Sequence, residues 1–318
     1  MLRSLFRGVA FLLCAALTGV TPARGAELNL LPAVHAVLDQ IYSGDLEAAL
    51  AGAQRLEREQ PDHPLGYLLE GDALWWRVWC TSAEFKYGMS YPRHRAKLAA
   101  DQHYLDLAAK VSSLAQAHAS RNDTAEMQFY AGMGDALAAR LHGLRDENRA
   151  AARAAVHARE HLLRAVALDP GLVDADFGLG LYNYYADTLS ATARVLRFFM
   201  GIPGGNKQKG IRQLEHAIAE GDLTKSEARF YLAISLHNYD QKYVRALELA
   251  GPLAEKYPAN PLFQLICGDL YAKLGRKEKA AERYRAAATL TVHDPDCQKH
   301  IHELARASLT AIGMASSE

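Results

Sequence analysis

Self-similarity at a spacing of 34 residues constrains this chain more than any other feature. The clearest unit runs from Pro261 to Asp294. Gly268 stands at its eighth position, Tyr271 at its eleventh, Gly275 at its fifteenth, Ala280 at its twentieth, Tyr284 at its twenty-fourth and Ala287 at its twenty-seventh. These residue types have a physical reading. Gly268, Ala280 and Ala287 let two antiparallel helices approach, Tyr271 and Tyr284 fill the space beside them, and Gly275 supplies the turn between. Ala246 and Pro258 recur one unit upstream, Ala158, Ala165 and Pro170 mark another second helix, and Gly44, Ala49 and Pro61 a third. First-helix patterns appear at Tyr67/Gly71/Leu74, Tyr130/Gly134/Leu137 and Leu179/Gly180. A helix pair of this kind cannot bury its apolar face alone, so neighbours must stack into an array.

This register resembles the tetratricopeptide repeat, most clearly over 224–258 and 261–294. The resemblance implies a right-handed superhelix with a concave side. We expect an all-α solenoid of six helix pairs at 31–59, 64–119, 123–168, 172–220, 224–256 and 261–291, with a closing helix at 295–312. One domain spans 26–318, with an insertion over 186–206 that includes a helix. Thr224 with Glu227 and Asp123 with Glu126 read as capping boxes. The stretch from Asp174 to about Ala288 is also similar to the inclusion-body-clearance family of tetratricopeptide proteins and to exported bacterial relatives with a Pro-Gly-Gly turn. Asn183, Gly204, Gly205 and Gly210 carry that likeness, which implies architecture and a non-enzymatic role. The leader described next departs from the eukaryotic family, which faces the cytosol.

Half of the 318 residues are hydrophobic, and 36 Lys+Arg balance 36 Asp+Glu. Such a chain can bury a core, which excludes disorder, and it lacks the basic field of a nucleic-acid binder. Arg3 and Arg7 precede an apolar run from Gly8 to Val20, and Ala23 and Gly25 are small. This reads as a secretory signal over residues 1–25, whose 13-residue apolar run is shorter than the about 20 apolar residues that a membrane anchor needs. Cleavage after Gly25 removes Arg3, Arg7 and Arg24, leaving 33 bases against 36 acids, a charge of −3. A periplasmic or secreted location follows. Cys80, Cys267 and Cys297 remain, allowing at most one internal pair.

Trp75, Trp76 and Trp79 stand close together, followed by an aromatic loop with Arg93 and Arg95. Trp76 is rotated by about 100° from Trp75 around a helix, so one neighbour cannot bury all three. Two readings stay open: the cluster packs within an irregular second pair, or it lines the concave groove and anchors a partner, with the two arginines holding a carboxylate. The insert, with Phe198, Phe199 and Met200 in its most apolar part, fills the core or docks on a membrane or protein. His157-Ala-Arg-Glu160-His161 matches a zinc-peptidase spacing, but Ala158 sits in repeat register and no companion ligand follows. His293, Cys297, His300 and His302 are rich in metal-ligating types, yet His302 is rotated by about 160° from His300. Gly201 to Lys207 lacks the last glycine and hydroxyl of a phosphate loop; there Asn206 is expected to cap a helix. The function expected is a non-enzymatic scaffold holding a protein or peptide in the concave groove, with no metal or cofactor. Envelope or lipid docking through 189–202 is the alternative, and a metal-dependent hydrolase using His157, Glu160 and His161 is a distant third.

Overall fold

The computed structural model describes residues 28, 30–82, 84–85, 89–90, 97–190, 197 and 201–314. These form thirteen helices: α1 (Pro32–Ser43), α2 (Leu46–Glu59), α3 (Pro64–Ser82), α4 (Ala100–Ala119), α5 (Ala125–Leu144), α6 (Asn148–Leu168), α7 (Ala175–Thr188), α8 (Lys207–Glu220), α9 (Lys225–Asn238), α10 (Tyr243–Lys256), α11 (Pro261–Lys273), α12 (Lys277–Thr289) and α13 (Pro295–Ala311). Strands β1 (Glu84–Phe85) and β2 (Met89–Ser90) make a two-residue antiparallel pair after α3, with Glu84 opposite Ser90. Helices α1 to α12 pack as six consecutive pairs and α13 closes the array, an all-α solenoid with the expected pair boundaries. The leader, the helix of the insertion apart from Arg197, and Arg93, Arg95, Phe198, Phe199 and Met200 lie outside the described residues.

Turn chemistry sets these boundaries. Gly44 and Gly275 both follow a first helix with φ of 87° and 72°. In that left-handed conformation the next amide reaches back to close the helix, as Arg276 N–H does to Tyr271 O at 2.9 Å. Asp45 and Asn206 accept from Ala48 and Lys209 amides and cap α2 and α8. The two expected capping boxes do not form. Thr224 donates its hydroxyl to Asp174 at 2.7 Å instead, and Glu227 is taken by Arg140. At α5 the cap is Thr124, because Asp123 is engaged by Gln128 and Arg164.

Close approaches explain the small residues. A Cβ on Gly268 would meet the Tyr284 ring at 2.5 Å, and one on Gly210 would meet Gly180 O at 2.6 Å. Ala158, Ala246 and Ala280 are buried at the corresponding contacts. Gly71 and Gly134 work differently. Gly71 faces Leu137 on α5, and Gly134 faces Ser112 on the preceding α4, so both serve contacts between pairs. Tyr271 is only half-buried and lines an outer cleft described below.

The first helix of each pair forms an inner row and the second an outer row. Outer helices α2, α6, α8 and α10 bury one stripe and expose the other. Inner helices α9 and α11 are buried almost all round, because the array curls back on itself and α3 runs through its middle. Tyr257 donates to Asp39 at 2.8 Å, Asn260 donates to Tyr42 O at 2.9 Å, and Arg77 pairs with Asp294 at 2.6 Å. A Cys80–Cys297 disulfide, with Cα atoms 5.1 Å apart, joins α3 to α13 across 217 residues of sequence. The backbone of β2 lies against α9 and that of β1 against α13. The inner side is therefore filled by the chain's own residues rather than left as an open groove.

Candidate functional site

The three tryptophans lie inside this closure. Trp75 is 5 %, Trp76 2 % and Trp79 1 % exposed. Several helices share the burial that one neighbour could not provide. Trp76 meets Tyr42, Phe230 and Phe263 with ring centroids 5.5, 4.6 and 5.6 Å away, Trp79 meets Phe230, and the Trp75 Nε1–H donates to Tyr231 Oη at 2.7 Å. These indoles offer no face to a partner in this conformation. Of the two readings of the cluster, core packing is the one that the geometry describes.

Beside Trp75 sits a buried charge cluster that the sequence reading did not single out. Arg140 on α5 donates to Asp72 on α3 and to Glu227 on α9, both at 2.6 Å, and its guanidinium lies 5.4 Å from the Trp75 ring centroid. Burial and the charge of Asp72 push Glu227 up to about 8 against the pull of Arg140. Elsewhere, burial and a hydrogen bond with Glu70 push Glu57 up to about 8. Burial pushes Asp269 up to about 7, although Tyr284 donates to it at 2.6 Å.

These three carboxyls bind protons more tightly folded than unfolded. Their contribution is complete below the unfolded value near 4 and is lost as pH rises through 7 to 8. Burial lowers His237, so its own contribution fades below about pH 6.5. The thermal midpoint is expected to fall between about pH 6.5 and 8, with a shallower slope in Glu227→Gln and Glu57→Gln; calorimetry across that range checks it.

The other motif residues do not assemble a reaction centre. His161 pairs through Nδ1 with Gln128 at 2.7 Å, while His157 and Glu160 are exposed. Cys297 is consumed by the disulfide, so it is not available beside His293, His300 and His302. Among the described residues no group of three His, Cys, Asp or Glu is placed to hold a metal ion. At the Pro-Gly-Gly turn, a Cβ on Gly205 would meet Asn183 O at 2.3 Å, and Gly204 lies against Arg197. Asn183 donates to Gln213 at 2.7 Å, so the four positions of the family likeness pack the turn against α7.

The outer surface carries a cleft of about 340 Å³ between α10 and α12, floored by α11. Val244, Leu247 and Pro252 on one side and Leu274 on the other give it an apolar part, with Tyr271 and the buried Cys267 beneath. Glu248 and Glu255 line one wall, Arg276 and Arg283 the other. Val244 is 58 % exposed, and nothing stands within 4 Å of where a Gly251 Cβ would be. Pro252 lies inside α10 and has no N–H, so the Glu248 carbonyl one turn earlier lacks its helical donor. Burial pushes the Cys267 thiol up to about 12, which makes it a packing group rather than a nucleophile.

No family model matches the chain, and no curated protein matches it. Among the described residues no helix is long and apolar enough to cross a membrane.

Proposed function

We propose that this chain is an exported scaffold of the tetratricopeptide type that binds a peptide segment of a partner protein without doing chemistry itself. The inner side is filled, so the proposed contact moves to the outer cleft between α10 and α12. That cleft is the observation that carries the reading: an apolar floor beneath a half-exposed Val244, a bare Gly251, a carbonyl without its helical donor, and walls of opposite charge. An apolar patch edged by charges suits a short segment whose side chains enter the floor while its ends meet Arg276 and Glu255. The repeat register and the Gly268–Tyr284 contact support the tetratricopeptide assignment. The Cys80–Cys297 bridge supports export, since such bridges persist in oxidising compartments.

A photo-crosslinking residue at position 244, in protein expressed in its native host, is expected to give one discrete adduct, whereas the same residue at the exposed position 113 on the outer helix α4 gives none. No adduct from position 244, or equal yield from both, defeats the reading.

A further inference from the structure

A second outer surface, on α6, differs from the cleft in shape and charge. Its 21 residues carry Arg149, Arg153, Arg159 and Arg164 against the single acid Glu160, in a chain whose bases and acids balance overall. The outer helices α2 and α4 carry more acid than base. Arg149, Arg153 and Arg164 fall on one exposed stripe, which at 1.5 Å per residue extends over about 22 Å. Arg164 is held by Asp123 at 2.7 Å, while Arg149 and Arg153 have no carboxylate in pairing distance among the described residues. Leu163 and Leu168 are exposed between and beyond them, at 38 % and 36 %.

The basic surface continues sideways. Arg159 lies 5.4 Å from the Tyr182 ring centroid, Tyr182 donates to Pro203 O at 2.8 Å, and Arg197 donates to that same carbonyl at 3.2 Å. Arg159 and Arg197 therefore flank one turn.

We infer that the exposed face of α6 docks on an anionic lipid surface. The shape decides between acidic partners. A convex helix back has no walls to enclose a peptide, whereas a plane of headgroups meets a row of arginines at one-turn spacings without needing a fixed register. Arginine stems and two exposed leucines beside the charges suit the headgroup boundary, where apolar stems lie shallow and guanidinium groups meet phosphate. Attraction of this kind is summed over charges and screened by salt, with a Debye length of about 10 Å at 0.1 M that shrinks to about 3 Å at 1 M.

The full chain is tested by co-sedimentation with phosphatidylglycerol–phosphatidylcholine vesicles and with phosphatidylcholine vesicles alone. Binding to the anionic vesicles only is expected, lost in high salt and about tenfold or more weaker in R149E/R153E. The exposed positions leave folding intact, which circular dichroism verifies. R149Q/R153Q, which removes charge without reversing it, is expected to lie between. K277E/K279E on α12 makes the same change in net charge elsewhere and is expected to bind like the parent. Equal binding to neutral vesicles, equal loss in K277E/K279E, or no loss in R149E/R153E overturns the inference. So does soluble polyglutamate binding as tightly as the anionic vesicles, which points to an acidic protein instead.

Discussion

Arg140→Ala is expected to lower folding stability by about 3–5 kcal/mol, read as a lower urea midpoint at unchanged slope. The guanidinium bridges Asp72 and Glu227, two carboxyls on helices that are distant in sequence, and all three groups are nearly enclosed. Removing it leaves two acids in an apolar surround with no cation between them. Their escape is to take up protons, so the loss is expected to grow as pH rises. A triple replacement, Arg140→Met with Asp72→Leu and Glu227→Leu, is expected to recover most of the stability, because desolvating buried charges costs about what their attraction returns. If Arg140→Ala unfolds at the parent's midpoint, the cluster contributes little and the inner packing rests on its apolar contacts, those of Trp75, Trp76 and Trp79 among them.

The comparison of those two variants bears on what the cluster is for. A buried ion cluster that can be replaced by leucine and methionine without loss is weak evidence for stability. What it can supply is register, since Asp72 on α3, Arg140 on α5 and Glu227 on α9 meet in this seating and a shifted α3 would part them. An apolar helix such as α3, rich in leucine and tryptophan, has several nearly equivalent ways to lie among apolar neighbours, and a charged pair removes most of them.

The pairing of helices was legible in the chain because it is local. Gly275 and Gly44 turn back on residues a few positions away, and Gly268 meets Tyr284 sixteen residues on, so a fixed spacing carries the information. The closure of the array was not legible, since it depends on how small rotations between pairs add up. Trp76 reaches Phe230 and Phe263, more than 150 residues away in sequence, and no periodicity reports that. The capping boxes failed for the same reason: Thr224 and Glu227 have the right local spacing but are claimed by Asp174 and Arg140 from other helices. A signal for the cluster was present. Arg140 and Glu227 are charges on first helices, whose inward sides are otherwise filled by packing residues. The outer cleft, by contrast, left only Gly251-Pro252 within a second helix as its trace.

Replacing Cys80 and Cys297 together by alanine is expected to lower folding stability by about 5 kcal/mol. The figure follows from chain entropy: the bridge closes a loop of 217 residues, and the loss of unfolded-state freedom grows with the logarithm of loop length. The bridge also sits where α3 meets the closing helix, beside the Arg77–Asp294 pair, so it fastens the second helix pair to the end of the array. Urea unfolding of C80A/C297A against the parent measures the loss. A parallel titration of the parent under non-reducing conditions should find one thiol, Cys267, unreactive until the protein unfolds, because burial holds its thiolate fraction very low. Three thiols titrating once the parent unfolds, instead of one, would mean that the bridge is absent and that closure rests on the inner aromatic and charge contacts. In that event C80A/C297A should cost no more than two small cavity-forming changes, about 1–2 kcal/mol in all. The two outcomes are far enough apart for one pair of denaturation curves to separate them.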